Sequence, residues 1–253
     1  MGLFNPFKSR PPRQEESVAD RVIALFKERA AAESVRLIPT SEPCALADSK
    51  LGGVPYLPPG FPYPLERGEG RETIPLRFLA QLNLAETPPL EGFPDRGILQ
   101  FYVGNDEHFG VDHETLTAQK AFRVIYHEEV IPLDAPPEIP PVPDDLPLVP
   151  LPFADSLRLR FEKETSVMET GDFRFDALLL QFYNEVAREN VRALDRLPEK
   201  VVNAVYEKFT SGGHRVGGYP SFSRLDPREY HESLREHSIL LLQLDTVATA
   251  PSP

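Results

Sequence analysis

Cysteine is almost absent from this sequence. The single residue, Cys44, excludes an intrachain disulfide and a metal cluster held by several thiolates. Sparing use of cysteine is typical of a reducing compartment. We therefore expect a cytoplasmic protein, and we predict no cofactor and no metal.

Basic residues are also in short supply. Lys and Arg number 27 against 39 for Asp and Glu, which gives a formal net charge of −12. Such acidity disfavours binding to nucleic acid or to an anionic membrane and favours a basic partner. The leading hypothesis is a non-enzymatic binding protein with a basic protein partner.

Long apolar runs are missing as well. No stretch reaches the length of a signal peptide or of a membrane span. Three prolines interrupt residues 1–16, which we interpret as a flexible tail. Residues 17–253 are long enough to bury a core without a covalent staple, and we predict that they form a single domain.

One six-residue phrase occurs twice in the chain. "KLGGVP" at 50–55 and "RVGGYP" at 215–220 share a basic residue, an apolar residue, two glycines and a proline. Each precedes an apolar strand pattern that contains a glutamine, "FLAQLNL" at 78–84 and "LLLQLD" at 240–245. The repeated order of features indicates an internal duplication. The candidate motif or cleft residues are Gly52, Gly53, Pro55 and Gln81 in the first copy, and Gly217, Gly218, Pro220 and Gln243 in the second.

The duplicated phrase predicts a rigid corner. Adjacent glycines suit positive φ or a close approach of two strands, and the proline fixes the direction in which the chain leaves. The glutamines are placed to satisfy backbone groups of the corner. The alternative is that the glycines admit a small molecule or a peptide into a cleft between the two halves.

The patterning predicts a mainly β (α+β) fold with a roll-like architecture. Alternation indicates strands at 76–84, at 97–103, after residue 120 and at 157–162. Helical periodicity follows Ser17 and recurs at 174–190 and 197–210. Nine prolines between 132 and 152 predict a stiff connector between two similar halves, 17–131 and 153–247.

Asp226 and Arg228 are the pair of side chains that most resembles a catalytic site. An Asp-Pro-Arg turn is typical of a firm loop, in which the carboxylate accepts from nearby amides. A hydrolase would need a nucleophile and a base, and Ser221, Ser223 and His214 are the nearby candidates. No Gly-x-Ser-x-Gly elbow frames them, so we predict no catalytic residues.

The histidines carry no recognisable metal pattern. His108 and His113 lie in the acidic stretch "NDEHFGVDHE", whose spacing matches neither a calcium loop nor a zinc helix. We interpret this stretch as a solvated turn between strands. His127 lies in charged surroundings and is predicted to be a surface residue.

Several of these segments resemble one known family. "LGGVPYLP" at 51–58, "FLAQLNL", "GILQFYV" at 97–103, "FGVD" at 109–112, "GGYPSFSRLDPR" at 217–228 and "LLLQLD" are similar to the YwqG-like family of bacterial proteins. The resemblance covers most of residues 20–245. It implies a mainly β, roll-like fold with added helices, no accepted catalytic residues, occurrence near polymorphic toxin genes and a suggested immunity role.

Two features depart from the family pattern. Arg224 stands where relatives would have Gln, and "LLLQLD" is followed by "TVATAPSP" where a further strand segment is expected. The second half is therefore predicted to lack its last strands. Either the chain is a shortened variant or another molecule supplies the strand, because an exposed edge invites pairing.

Overall fold

The computed structural model describes residues 16–66, 74–142, 151, 153, 156–210 and 212–245. The fold is mainly β, as predicted, with a seven-stranded antiparallel sheet that curls into a half-barrel. The strands are β1 (Ala31–Thr40), β2 (Lys50–Leu51), β3 (Arg77–Asn83), β4 (Ile98–Val103), β5 (Arg123–His127), β6 (Leu157–Val167) and β7 (Arg215–Gly217). The α-helices in the described part are α1 (Val18–Arg29), α2 (Phe175–Ala187), α3 (Glu199–Lys208) and α4 (Pro227–Tyr230).

Two compact units divide the chain, and each is built from separate segments. The helical unit contains the described residues within Met1–Ala31, Val167–Ser211 and Ser221–Leu234. The sheet unit contains those within Ala32–Ser166, Gly212–Pro220 and Arg235–Pro253. The organisation as a single domain of two sequential halves stays a prediction.

The order of strands in the sheet interleaves the two predicted halves. The strands follow the order β5-β4-β3-β2-β6-β1-β7. β2, from the first half, pairs with β6 from the second, while β7 of the second half pairs with β1 of the first. The strand before each glycine corner, β2 or β7, therefore has a neighbour from the other half of the sequence.

One face of the sheet forms the core of the sheet unit. Because side chains alternate along a strand, every second residue of each strand points to this face. Several of these side chains, among them Val35, Leu51, Ala80 and Leu82, have no exposed surface. Leu159 and Val216 complete the central row. The opposite face carries charged and amide side chains, including both motif glutamines.

The helical unit has an aromatic core. Ser17 caps α1 through a capping box: its hydroxyl accepts from the Asp20 amide at 3.1 Å. Phe26 of α1 packs on Phe175 of α2 with ring centroids 4.7 Å apart, and on Phe209 at 5.1 Å. Three amphipathic helices thus share one cluster, which explains why each shows a 3.6-residue period.

Most predicted elements are confirmed, with shifted ends. The helices after Ser17, at 174–190 and at 197–210 and the strands at 76–84 and 97–103 all occur. β1 was missed, because Pro39 and the polar residues among its ten positions hide the alternation.

The predicted connector and the predicted tail lie partly outside the residues that the structure describes. Residues 132–142 of the predicted proline-rich connector contain neither helix nor strand, and residues 143–150 and 152 of it lie outside the described residues. Residues 1–15 of the predicted tail also lie outside the described residues. No helix in the described ranges combines the length and the apolar character needed to cross a bilayer.

Candidate functional site

Both glycine corners adopt the same unusual backbone. Gly52 and Gly53 have φ of 62° and 72°, and Gly217 and Gly218 have φ of 67° and 66°. These values lie in the left-handed region, which non-glycine residues rarely occupy. Two glycines in succession are therefore required at each corner by backbone geometry alone.

Close packing adds a second requirement for glycine. A Cβ on Gly53 would lie 2.8 Å from the Cβ of Ser156, and one on Gly218 would lie 2.0 Å from the Oγ of Ser166. A Cβ on Gly217 would lie 2.4 Å from a methyl carbon of Leu90. The space at the corners is filled by neighbouring residues of the protein.

The register around the two corners is also the same. Lys50 pairs with Gln81, and Arg215 forms a bridge with Gln243. Gln81 donates from Nε2 to the carbonyl of Asp48 at 2.8 Å, and Gln243 donates to the carbonyl of Gly213 at 3.3 Å. In each case the acceptor lies two residues before the basic residue. The glutamines thus hold equivalent backbone groups in the two copies.

The basic residues fasten the preceding loops. Lys50 donates to the carbonyls of Ala45 and Leu46 at 3.1 and 3.0 Å, and its residue is 3% exposed. Burial lowers the pKa of Lys50 to about 8. Arg215 donates to the carbonyl of Gly212 at 2.6 Å. Both side chains therefore act on the backbone of their own corner.

A buried amide network extends from the first corner, and sequence reasoning missed most of it. Gln81 Oε1 accepts from the Tyr56 amide at 2.9 Å and from Gln100 Nε2 at 3.1 Å. Gln100 Oε1 accepts from the Tyr102 hydroxyl and lies 3.1 Å from Nε2 of His127. The signal for Gln100 was present, because it is the one polar residue in "GILQFYV".

The prediction that His127 is a surface residue is wrong. The residue is 8% exposed and its ring stands edge-on to Phe61, with centroids 4.7 Å apart. Burial lowers the pKa of His127 below its ordinary value. The charged neighbours in sequence, Glu128 and Glu129, come after the end of β5 and are exposed to solvent.

Asp226 and Arg228 lie in the helical unit and form a buried ion cluster. Asp226 accepts from the Phe173 amide at 3.2 Å and from the Arg228 guanidinium at 2.7 Å. The same guanidinium donates to Asp172 at 3.0 Å and lies 5.3 Å from the ring centre of Phe173. Arg174 completes the cluster with a 2.7 Å bond to Asp172. The two carboxylates are matched by two guanidinium groups.

Sequence reasoning missed Asp172 and Arg174. Burial alone would raise the pKa of Asp172, but bonds from Arg174 and the charge of Arg228 outweigh it and hold that pKa below the ordinary value. Arg228 is held by Asp226, which raises the pKa of the guanidinium. This arrangement secures the loop before α2.

The candidate hydrolytic groups fall in different units. Asp226 and Arg228 belong to the helical unit, whereas His108, His113 and His214 belong to the sheet unit. His214 is 3% exposed, and its Nδ1 accepts from the Asp245 amide at 3.0 Å.

The acidic loop is a network of turns. Asp106 accepts from the amides of His108 and Gly110, and Asp112 accepts from Thr115 and Lys120. Within the ranges that the structure describes, no three His, Cys, Asp or Glu side chains are grouped to hold a metal ion.

An open groove of the sheet unit runs along β6. It has a volume of about 820 Å³. Arg158 bonds to both Asp48 and Glu86, and Arg160 forms a fork with Glu42, with Nε to Oε2 at 3.1 Å. Its lining consists of Ile38, Glu42, Glu86, Thr87, Pro88, Arg158, Leu159, Arg160, Phe161 and Glu162.

The exposed charges of this groove are the carboxylates of Glu42 and Glu162 and the guanidinium of Arg160, whose side chain is 63% exposed. Arg158 is three-quarters buried between its two acidic partners. The side chains of Glu42 and Glu162 are 43% and 54% exposed. The bond from Arg160 lowers the pKa of Glu42, so that carboxylate is charged at neutral pH. Glu162 pairs with Arg36 at the sheet surface.

A smaller cavity lies at the apolar face beside the second corner. It measures about 290 Å³ and is lined by Val35, Val216 and the loop of residues 84–95, with Leu90 and Phe93. It touches both predicted halves, because Val216 comes from the second and the others from the first. It is smaller than most ligand pockets.

Comparison with known proteins identifies one family. A family model described as a domain of unknown function (DUF1963) matches residues 49–251 of the chain. No curated protein matches the chain. The match includes both glycine corners and the Asp226 cluster.

Proposed function

The chain belongs to the DUF1963 family, a domain of unknown function, and on that premise we propose that it is a non-enzymatic protein that binds a basic protein partner. The groove on the sheet unit is the observation that carries this proposal. Its exposed carboxylates belong to Glu162, in strand β6, and to Glu42, in the loop just after β1. A rigid acidic surface speeds capture of a basic partner by electrostatic steering.

The pairing of Glu42 with Arg160 suits exchange with a partner. Both side chains are largely exposed, and solvent screening makes an exposed ion pair weak. A cationic side chain of the partner replaces Arg160 on Glu42 at little net cost. Arg158 stays in place, because Asp48 and Glu86 hold it from two sides.

The openness of the groove favours a protein over a small molecule. Small-molecule sites enclose most of the ligand surface, whereas protein interfaces are flatter and have polar rims. The motif residues support the same proposal indirectly. Gly53, Gln81, Gly218 and Asp226 all contact other parts of the protein, as expected for a scaffold.

We further propose that the chain is YwqG-like, bacterial and cytoplasmic, and that its partner is a basic toxin. The resemblance of both glycine-proline segments to that family supports this narrower assignment. An immunity role requires a gene for a basic toxin beside the gene for this chain. Sequencing of the flanking genes tests the role directly, and the repeated absence of such a gene would contradict it.

Affinity capture tests the broader proposal. The immobilised chain is expected to retain one stoichiometric basic protein from a lysate of its source. Glu42→Gln combined with Glu162→Gln should weaken the affinity for that purified protein by about tenfold. The matched control is Glu114→Gln with Glu138→Gln, which removes the same charge from exposed residues outside the groove. No basic partner, or equal loss in both variants, would overturn the proposal.

The cavity beside Val216 supports a second candidate, a small apolar ligand. Its lining comes from both predicted halves, as a cleft binder requires. A ligand that binds there should raise the melting temperature, and Val216→Phe should abolish that rise by filling the cavity. A ligand-induced rise that persists in this variant would exclude the cavity as the site.

A further inference from the structure

The second copy of the β3 pattern forms one margin of the sheet. This margin segment, residues 238–245 with sequence "SILLLQLD", follows β7 in the fold. Gln243 and Arg215 exchange two backbone hydrogen bonds, at 3.0 and 2.8 Å. The Gly217 amide donates to the carbonyl of Leu240 at 2.8 Å. The segment is therefore attached to the sheet on its β7 side.

The two copies differ in how they are covered. β3 is flanked by β2 and β4, and its Ala80 and Leu82 have no exposed surface. By the register of the glutamines, their equivalents are Leu242 and Leu244, which are only half-buried. Leu241 is 39% exposed. In the described part of the second half, no strand takes the place that β4 has in the first.

The backbone of the margin segment presents hydrogen-bonding groups outward. Since the Gln243 backbone bonds to β7, the backbones of Leu242 and Leu244 point to the opposite side. Neither residue has a backbone hydrogen bond to another described residue. The margin thus offers two amides and two carbonyls, two residues apart, along an apolar run.

The other margin of the sheet is protected. The outward amide of Val124 in β5 donates to the side chain of Gln119 at 2.8 Å. Glu128 and Glu129 follow directly and are exposed. Side-chain caps and charges are common means of blocking edge-to-edge pairing. Residues 239–244 carry no charge and no proline, so this margin lacks such a block.

We propose that this margin is an interface between two copies of the chain, in which residues 241–245 pair antiparallel with the same residues of a second copy. Its twofold axis passes beside Gln243, so that Leu242 lies opposite Leu244 of the second copy and the reverse. Both outward backbones then form reciprocal hydrogen-bonded pairs.

The register also avoids a clash of like charges. Asp245 lies opposite Leu241 of the second copy and is four residues away from its own counterpart. Leu242 and Leu244 meet each other across the interface, and Gln243 meets its own counterpart at the axis. The margin is therefore complementary to itself, which a twofold interface requires. This interface is separate from the acidic groove and does not depend on the proposed partner.

Sedimentation of the full chain tests the proposal. The chain should be a dimer at about 100 µM and dissociate on dilution. Leu242→Pro should abolish the dimer, because proline removes an outward amide and leaves the bonds to β7 intact. Leu225→Glu is the surface control. Leu225 is 68% exposed and belongs to the helical unit, so this substitution should leave the dimer unchanged.

A pair of charge variants distinguishes this register from nonspecific hydrophobic association. Leu241→Glu would face Asp245 of the second copy and should weaken the dimer by about tenfold relative to Leu241→Lys, which meets the same carboxylate with opposite charge. Equal effects of the two variants would contradict the register.

Crosslinking locates the axis. In a Cys44→Ser background, Gln243→Cys should form a disulfide-linked dimer under mild oxidation, because a non-hydrogen-bonded pair places Cα atoms about 4.5 Å apart. Leu241→Cys is the matched control and should not crosslink, since its counterpart lies about 13 Å away.

Hydrogen exchange distinguishes a second copy from other segments that could cover the margin. Protection of the Leu242 and Leu244 amides should rise with protein concentration. A monomer at all concentrations, or protection that is independent of concentration because residues 246–253 cover the margin, would overturn the proposal.

Discussion

Single residues carry the structural logic of the two glycine corners. Gly53 and Gly218 combine positive φ with a neighbouring serine that leaves no room for a Cβ. Gln81 and Gln243 then tie the strand to the loop before each corner. The repeated phrase is therefore explained by backbone geometry and packing, with no need for a bound ligand.

Gly218→Ala separates the two requirements for glycine. We expect it to lower the free energy of unfolding by about 2–4 kcal/mol, because strain at positive φ and the contact with Ser166 add together. Gly60→Ala is the control, since Gly60 has φ of 79° but no other residue lies within 4 Å of a Cβ added there. It should cost only about 1 kcal/mol. Urea unfolding measures both, and equal losses would show that packing plays no part.

Lys50 predicts a specific pH dependence. Its pKa of about 8 in the folded chain lies below the ordinary value of 10.5, so folding disfavours the charged form. The unfolded chain then binds more protons between pH 8 and 10.5, and stability rises with pH in that window. Wild type should gain roughly 2 kcal/mol over Lys50→Met between pH 7 and 9.5.

Lys163→Met is the matched control for this effect. Its side chain is 53% exposed, and the difference from wild type should stay constant over the same pH range. Tyrosine ionisation affects all three proteins alike and cancels in the comparison. A constant difference for Lys50→Met as well would contradict the lowered pKa.

Elements in this chain are held by long-range polar contacts as much as by their own periodicity. α4 is only four residues long and is capped by Asp226, whose carboxylate also accepts from the Phe173 amide before α2. The Asp172, Arg174, Asp226 and Arg228 cluster thus joins two helix starts that are more than fifty positions apart in sequence. Amphipathic stripes alone did not reveal this link.

Asp226→Ala should therefore destabilise the helical unit strongly. It leaves Arg228 beside one carboxylate and removes acceptors for two amides, and breaking a buried ion pair costs about 3–5 kcal/mol. Asp195→Ala, whose side chain is 75% exposed in the same unit, should change stability by less than about 0.5 kcal/mol. Chemical unfolding followed by circular dichroism measures the difference, and a small loss for Asp226→Ala would refute the structural role.

At the scale of the whole molecule, the surplus of negative charge is the dominant property. A net charge of −12 adds self-repulsion to the folded state. The same surplus favours a basic partner at the groove. Exposed ion pairs such as Arg36 with Glu162 offset little of it, because they contribute about 0–1 kcal/mol each.

Salt should therefore stabilise the chain at neutral pH. Raising NaCl from about 20 to about 300 mM shortens the screening length several-fold, and we expect the melting temperature to rise by a few degrees. Near pH 5, close to the sequence pI of 5.0, the rise should vanish. A fall in melting temperature with salt at pH 7 would mean that specific ion pairs outweigh net repulsion.

Local signals determined the mainly β class, the helix that begins after Ser17 and the glycine corners, because alternation, caps and positive φ depend on residues close in sequence. Tertiary structure alone decided that β1 and β6 lie side by side and that each corner strand pairs across the predicted halves. It also decided which partners Gln81, His127 and Asp172 find. Those choices depend on contacts between residues far apart in the chain, for which a single sequence carries no local pattern.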